Sequence, residues 1–236
     1  MMINAKKTTT ILTTAMLILV VASIIASWLS LKSVPYFWIE KIRHSYVRLF
    51  DVNREANIPT WFSSTILLLS ALLCARVYCQ KRAVKDRYTF YWATLAVIFT
   101  GFSLDETAIL HEMLILPLRA IFNFKGLFYY GWITIGIIFV VIAAIFYYRF
   151  LLSLPRNTRN LFLLAATSFI SGAIIVESFT GFYAYNYGVE TFFYLLIGTL
   201  EEFLEMLGVI VFIHSLLSYL AIQSKETEYN LPNRKQ

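Results

Sequence analysis

The sequence predicts an all-α fold: a polytopic transmembrane helix bundle of about six spans, with one more helix, amphipathic, lying in the membrane interface. Three observations predict it. Of 236 residues, 59% are hydrophobic and only 14% charged, a balance unlike that of a soluble domain. The apolar residues fall into six runs close to or above the ~20 residues that a spanning helix needs at 1.5 Å each. Aromatic and basic residues gather at the ends of these runs, as they do at membrane–water interfaces.

The first run, about 10–31, follows Lys6 and Lys7. It is longer than the apolar stretch of a cleavable signal and reads as a retained helix. Residues 35–51 differ in kind. Advancing 100° per residue from Trp38 puts Trp38, Ile39, Ile42, Tyr46, Leu49 and Phe50 in one arc of about 120°. Glu40, Lys41, Arg43, His44, Arg48 and Asp51 fall outside it, with Val47 the lone apolar residue among them. This is the pattern of a helix lying in the outer interface, apolar face down. It either covers the mouth of the bundle or acts as a lid whose Arg43, His44, Arg48 or Arg54 reaches an anionic substrate or a lipid headgroup. Pro59 then opens the second span, about 61–78, because proline is tolerated in a first helical turn. The remaining spans are expected at about 88–114, 128–150, 161–185 and 192–222. Residues 1–224 form a single transmembrane domain, and 225–236 a polar, disordered cytoplasmic tail.

Lysine and arginine orient this bundle. With the N-terminus inside, thirteen basic residues lie on the inner side and seven on the outer, four of the seven in the amphipathic segment. The positive-inside bias therefore predicts a bacterial inner-membrane protein with both termini cytoplasmic. The net charge of +6 speaks for anionic lipid contact rather than nucleic acid, and no nucleotide-binding glycine pattern occurs. Membrane lipids are the expected partners, and a homo-oligomer or membrane complex stays open. Cys74 and Cys79, five apart on the inner side, fit no zinc spacing and read as packing residues.

Seven of the fourteen acidic residues sit inside the apolar runs: Asp105, Glu106, Glu112, Glu177, Glu201, Glu202 and Glu205, with His111 among them. A carboxylate in hydrocarbon costs at least ~2.5 kcal/mol, so a cluster of them needs a common purpose. All seven fall in the outer half of three helices. In a continuous third span Asp105 and Glu112, seven apart, share a face. His111 flanks it by about 100°, and Glu106 points about 100° the other way. In the sixth span Glu201, Glu202 and Glu205 lie within about 100° of one another. The two clusters also resemble each other. Ser103-Leu-Asp-Glu106 precedes Glu112-Met-Leu114, and Thr199-Leu-Glu-Glu202 precedes Glu205-Met-Leu207. Read as a repeat of three helices, this predicts halves of inverted topology, as in many secondary transporters.

Asp105, His111, Glu112, Glu177, Glu201 and Glu205 have the side chains to ligate a divalent metal, zinc, iron or manganese. Glu112, Glu205 and Glu202 are the candidates for acid–base work, with Glu106, Arg43, His44, Arg48 and Arg54 in supporting or lid positions. No Glu-x-x-His, His-Glu-x-x-His or His-x-x-x-His occurs, so the specific metal-enzyme signatures are missing. Three readings stay open: metal-assisted hydrolytic or redox chemistry on a lipid-like or periplasmic substrate, proton- or cation-coupled transport, and a structural or accessory role. Whether the chain is an enzyme stays undecided. His214 reads as a packed or interfacial histidine.

Three stretches carry a resemblance: residues 50–64, FDVNREANIPTWFSS; Ser103-Leu-Asp-Glu106 with His111-Glu112; and the run LEEFLEM within 200–206. Together they resemble a group of uncharacterised bacterial polytopic membrane proteins, over about residues 45–220. The resemblance implies a bacterial six-helix membrane protein and adds no mechanism.

Overall fold

A computed structural model describes the backbone of residues 4–230 and the side chains of residues 4–223. It is all-α, as expected. The helices are α1 (Ala5–Ser30), α2 (Phe37–Phe50), α3 (Ile58–Ala83), α4 (Thr89–Ala108), α5 (Ile115–Phe122), α6 (Trp132–Ser153), α7 (Arg156–Ile170), α8 (Glu177–Tyr187) and α9 (Phe192–Asn230). Among the described residues five helices are long and apolar enough to cross a membrane: α1, α3, α6, the α7–α8 pair and α9. α4 and residues Glu112–Phe122 together are apolar enough for a sixth crossing, but the pair is bent by 68°, as in a broken span or a re-entrant loop. By length and composition these helices are compatible with an integral membrane protein.

Local chemistry sets the ends. The Asn4 side chain accepts from Lys7 N–H at the start of α1, and Asn57 accepts from Thr60 N–H at the start of α3, with Pro59 in the first turn. Both side chains satisfy a donor that the helix itself leaves unpaired. α8 stops at Gly188, whose positive φ of 83° suits a residue without Cβ. α9 runs on to Asn230, so the first half of the expected tail has helical backbone; residues 231–236 lie outside the described part.

α9 is the axis. Its Met206, Ile210, Ile213 and Leu216 are fully buried, and α1, α3, α7 and α8 pack around it. The α7–α9 contact is close because two glycines permit it. A Cβ on Gly208 would stand 2.7 Å from the Ala165 carbonyl oxygen, and one on Gly172 would stand 2.7 Å from that of Glu201. Ser168 donates to the Leu204 carbonyl across the same seam at 2.8 Å. Small residues and one hydroxyl are how helices approach without a hydrophobic drive between them. α6 touches α4 through rings instead: Phe102 meets Phe139, Tyr91 stacks on Phe150, and Trp92 stands edge-on to it at 5.0 Å.

One expectation changes here. The third span is not a continuous helix over 88–114. α4 ends at Ala108, Ile109 takes a left-handed conformation (φ 57°), and Glu112–Leu114 form a separate 3₁₀ turn. Pro117 supplies a reason: inside a continuous helix it would lose a hydrogen bond and clash with the preceding turn, whereas in the first turn of α5 it does neither. The packing of α2 adds a detail to its two arcs. Val47, the apolar residue on the polar arc, is the one that docks, at 2% exposure. Arg43 is beside it, donating to the Leu29 carbonyl at 2.8 Å and to the Glu40 carboxylate. Trp38 (72% exposed) and Ile42 (69%) face away from the protein. Part of the apolar arc thus faces the surroundings, while Tyr46 and Phe50 of the same arc meet the protein, Tyr46 donating to the Ala22 carbonyl.

Candidate acidic site

The site begins with the break after α4. Asp105 accepts from the His111 backbone N–H and from its Nδ1, both at 2.8 Å. One carboxylate thereby closes the six-residue turn and fixes the imidazole, leaving Nε2 as the ring's remaining polar atom. The His111 ring lies 4.8 Å from that of Trp132, the first residue of α6. The Trp132 indole N–H donates to Glu177 at 2.8 Å. A chain of contacts therefore runs from Asp105 through His111 and Trp132 to Glu177, across three separate helices.

Glu177 opens α8 directly after a π-helical turn, Ser171–Val176. Such turns are rare and concentrate at functional positions. This one lays Gly172 on the backbone of α9 at Glu201 and Glu205, and Glu177 is left 7% exposed. Across from it Thr180 donates to Glu201 at 2.8 Å. Glu177, Glu201 and Glu205 interact electrostatically with one another, and Glu112 reaches Glu177 and Glu201 from the broken turn. Tyr130 and Tyr194, hydrogen-bonded to each other at 2.9 Å, border this group.

The break overturns the shared face expected along the third helix. Because the helix breaks, Asp105 and Glu112 do not share a stripe through seven residues of helical phase, and His111 folds back onto Asp105 instead of flanking it. Glu106 faces Ser63 on α3, and its charge is the largest of those acting on Glu202, ahead of Glu205 and Glu201. The acids thus form one connected group around α9: Glu112 and Glu177 meet Glu201 on the side of α8, Glu106 meets Glu202, and Glu205 interacts with Glu201, Glu202 and Glu106.

Glu55, which the sequence reading passed over as a turn residue, interacts with Glu106, Glu112 and His111. Burial, then the Glu112 charge, raise its carboxyl above the ordinary 4.5. The segment that carries it is built in. Buried Asp51 accepts from the Asn53 backbone and side chain and pairs with Arg54 at 3.4 Å. Asn53 seats its side chain against Gly198 of α9 and donates to the Leu195 carbonyl. Val52 N–H donates to buried Ser23 of α1. The signal in the sequence was the density of Asp and Asn in 51–57, residues that bond their own backbone in turns.

The expected lid cations lie elsewhere. Arg43 is committed to Glu40 and the C-terminus of α1, and its guanidinium holds the Glu40 carboxyl at about 2. His44 also reaches Glu40, at 3.1 Å, and Arg48 is exposed. Among the described residues no set of three or more His, Cys, Asp or Glu side chains is arranged to hold a metal ion. The residues therefore offer no ready-made fit for the expected divalent metal.

A family model described as Domain of unknown function (DUF8692) matches residues 11–220. The chain belongs to that family. No curated protein and no solved structure matches it. The matched DUF8692 region takes in every residue of the acidic site, Glu55 included, and agrees with the uncharacterised family implied by the three motifs.

Proposed function

We propose that this chain is a multi-pass protein of the bacterial inner membrane, with both termini cytoplasmic, that takes up and passes protons or small cations at its intramembrane carboxyl groups. The observation that carries this reading is a charge deficit. The hydrogen-bond partners of Glu177 and Glu201 are an indole N–H and a hydroxyl, both neutral. Among the described residues no lysine or arginine pairs with Glu106, Glu112, Glu177, Glu201, Glu202 or Glu205. The imidazole that the cluster contains, His111, is already engaged by Asp105. Two carboxylates ~4 Å apart repel by about 4 kcal/mol even at an effective dielectric of ~20. The missing positive charge must therefore enter as protons or as a cation, which is the working requirement of a relay in a membrane. The basic-residue bias supports the orientation.

A second reading, hydrolytic chemistry on a lipid-like or periplasmic substrate, is favoured by the Asp105–His111 pair, because a carboxylate on one ring nitrogen readies the other as a base or ligand.

Purified protein in liposomes with an internal pH dye tests the first reading. A proton, sodium or potassium gradient should drive a flux that Glu201→Gln and Glu205→Gln reduce at least tenfold. No flux from the unaltered protein under any of the three gradients would overturn it. Stoichiometric zinc, iron or manganese, lost in Glu112→Ala, would favour the second. If neither is found and the variants do not fold, the acids are structural.

A further inference from the structure

We propose that the cleft between the N-terminal turns of α1 and the middle of α9 binds the phosphate headgroup of an anionic phospholipid. The site is remote from the acidic cluster. It encloses about 430 Å³ and is lined by Lys6, Thr9, Thr10, Thr13, Thr14 and His214.

Hydrogen-bond accounting shows which of these groups are free. A threonine in a helix commonly returns its proton to a carbonyl one turn back. Thr9 does so, donating to Ala5 at 2.8 Å, and Thr10 does so to Lys6 at 3.0 Å. With its one proton spent, the Thr9 oxygen can only accept from His214 Nδ1, 2.8 Å away. The proton of a neutral His214 is thereby assigned to Nδ1. Thr13 and Thr14 return nothing: among the described residues neither hydroxyl has a partner, and Lys6 has no ion pair. The cleft therefore presents two unused hydroxyls and one unused ammonium. No acid occurs in residues 1–39 or 206–225. Such a lining attracts an anion rich in acceptor oxygens and repels nothing about it.

The surface beyond the cleft selects a lipid over a free phosphate. Thr10 and Thr14 are one turn apart on α1, and Ile18, Val21 and Ile25 continue the same stripe, exposed at 63%, 57% and 46%. A polar head followed by an apolar track matches a molecule with a phosphate at one end and acyl chains at the other. Lys6 at the helix start also sets the depth, since basic residues at span ends lie at the headgroup layer.

The test measures thermal unfolding of the full chain in detergent with added phosphatidylglycerol, phosphatidylcholine or inorganic phosphate. Phosphatidylglycerol should raise Tm in a saturable way. Lys6→Ala combined with Thr13→Val and Thr14→Val should need at least tenfold more of it for the same shift. An unchanged response in the triple variant overturns the proposal, as does an equal shift from phosphatidylcholine or from inorganic phosphate alone. Should the triple variant fail to fold, photoactivatable phosphatidylglycerol on the unaltered protein decides. Labelling within residues 6–18 or next to His214 supports the site, and labelling confined elsewhere overturns it.

Discussion

Residues 103–114 and 199–207 open alike (Ser-Leu-Asp-Glu, Thr-Leu-Glu-Glu) and both end in Glu-Met-Leu, with intervals that differ by three residues, and the chain treats them in opposite ways. The first is broken at Ile109 and folds back through a 3₁₀ turn; the second is nine residues of uninterrupted helix. Each opens on a hydroxyl residue whose proton goes a different way. Ser103 donates to the Ser64 carbonyl on α3, while Thr199 donates to Leu195 within its own helix. The first segment is anchored sideways and has a proline ahead of it at 117. The second is clamped along its length by α7, with no proline before 232. The difference teaches that an acidic motif in an apolar helix has no structure of its own. The neighbours decide whether it spans or turns, and the broken copy is the one that brings an imidazole to the site.

The clamp on α9 offers the largest effect. Gly208→Ala puts a methyl 2.7 Å from the Ala165 carbonyl and 2.8 Å from the Phe169 amide, both backbone. The helices must part, and we predict a loss of about 1–3 kcal/mol, typical of overpacking, read as a lower Tm in detergent. An unchanged Tm would mean that the α7–α9 seam yields freely. On the broken copy, Asp105→Asn removes the charge and one of two acceptor oxygens. The expected cost is about 1–2 kcal/mol, expressed locally: amide exchange over 109–114 should quicken while that of 199–207 stays as it was. Exchange quickening in both would unite what the structure separates.

A smaller effect, of opposite sign, is expected at the break itself. A β-branched residue held at φ 57° costs about 1–2 kcal/mol. Ile109→Gly should therefore stabilise or be neutral, whereas Leu204→Gly, inside the unbroken copy, should cost at least about 1 kcal/mol. If Ile109→Gly also destabilises, its side chain packs more than its backbone strains. The smallest expected effect is at Glu55. Burial and the Glu112 charge raise its folded pKa, so the ionised group weighs against the fold above that pKa. Glu55→Gln should then raise Tm near neutral pH, with the gain fading as pH falls through the ordinary carboxylate value of 4.5. A gain that is the same at pH 4 and pH 7 would assign Glu55 a packing role instead.

Much of the site was legible early. Carboxylates inside apolar runs are costly enough that their position alone announces them, and Glu177, Glu201 and Glu205 do meet around Gly172. Helical phase carried the argument wherever the helix was real, as in α9, and failed where Ile109 left it. Pro117 was the available signal for that break. Glu55 was hidden because a polar residue in a loop looks solvated until the loop is seen wedged between α1, α3 and α9. The two arcs of α2 were legible from helical phase, but that Val47 on the polar arc would be the buried residue was not, because periodicity does not say which side of a helix meets the rest of the protein.

The sequence by itself determined the all-α class, the approximate spans, the amphipathic helix and the gathering of acids on three helices, because each follows from local period and from the cost of burying charge. The tertiary structure alone decided which acids face which. That arrangement depends on a turn closed by Asp105, a π-turn seated on α9 through Gly172, and Asn53 lodged against Gly198, contacts whose geometry no periodicity encodes.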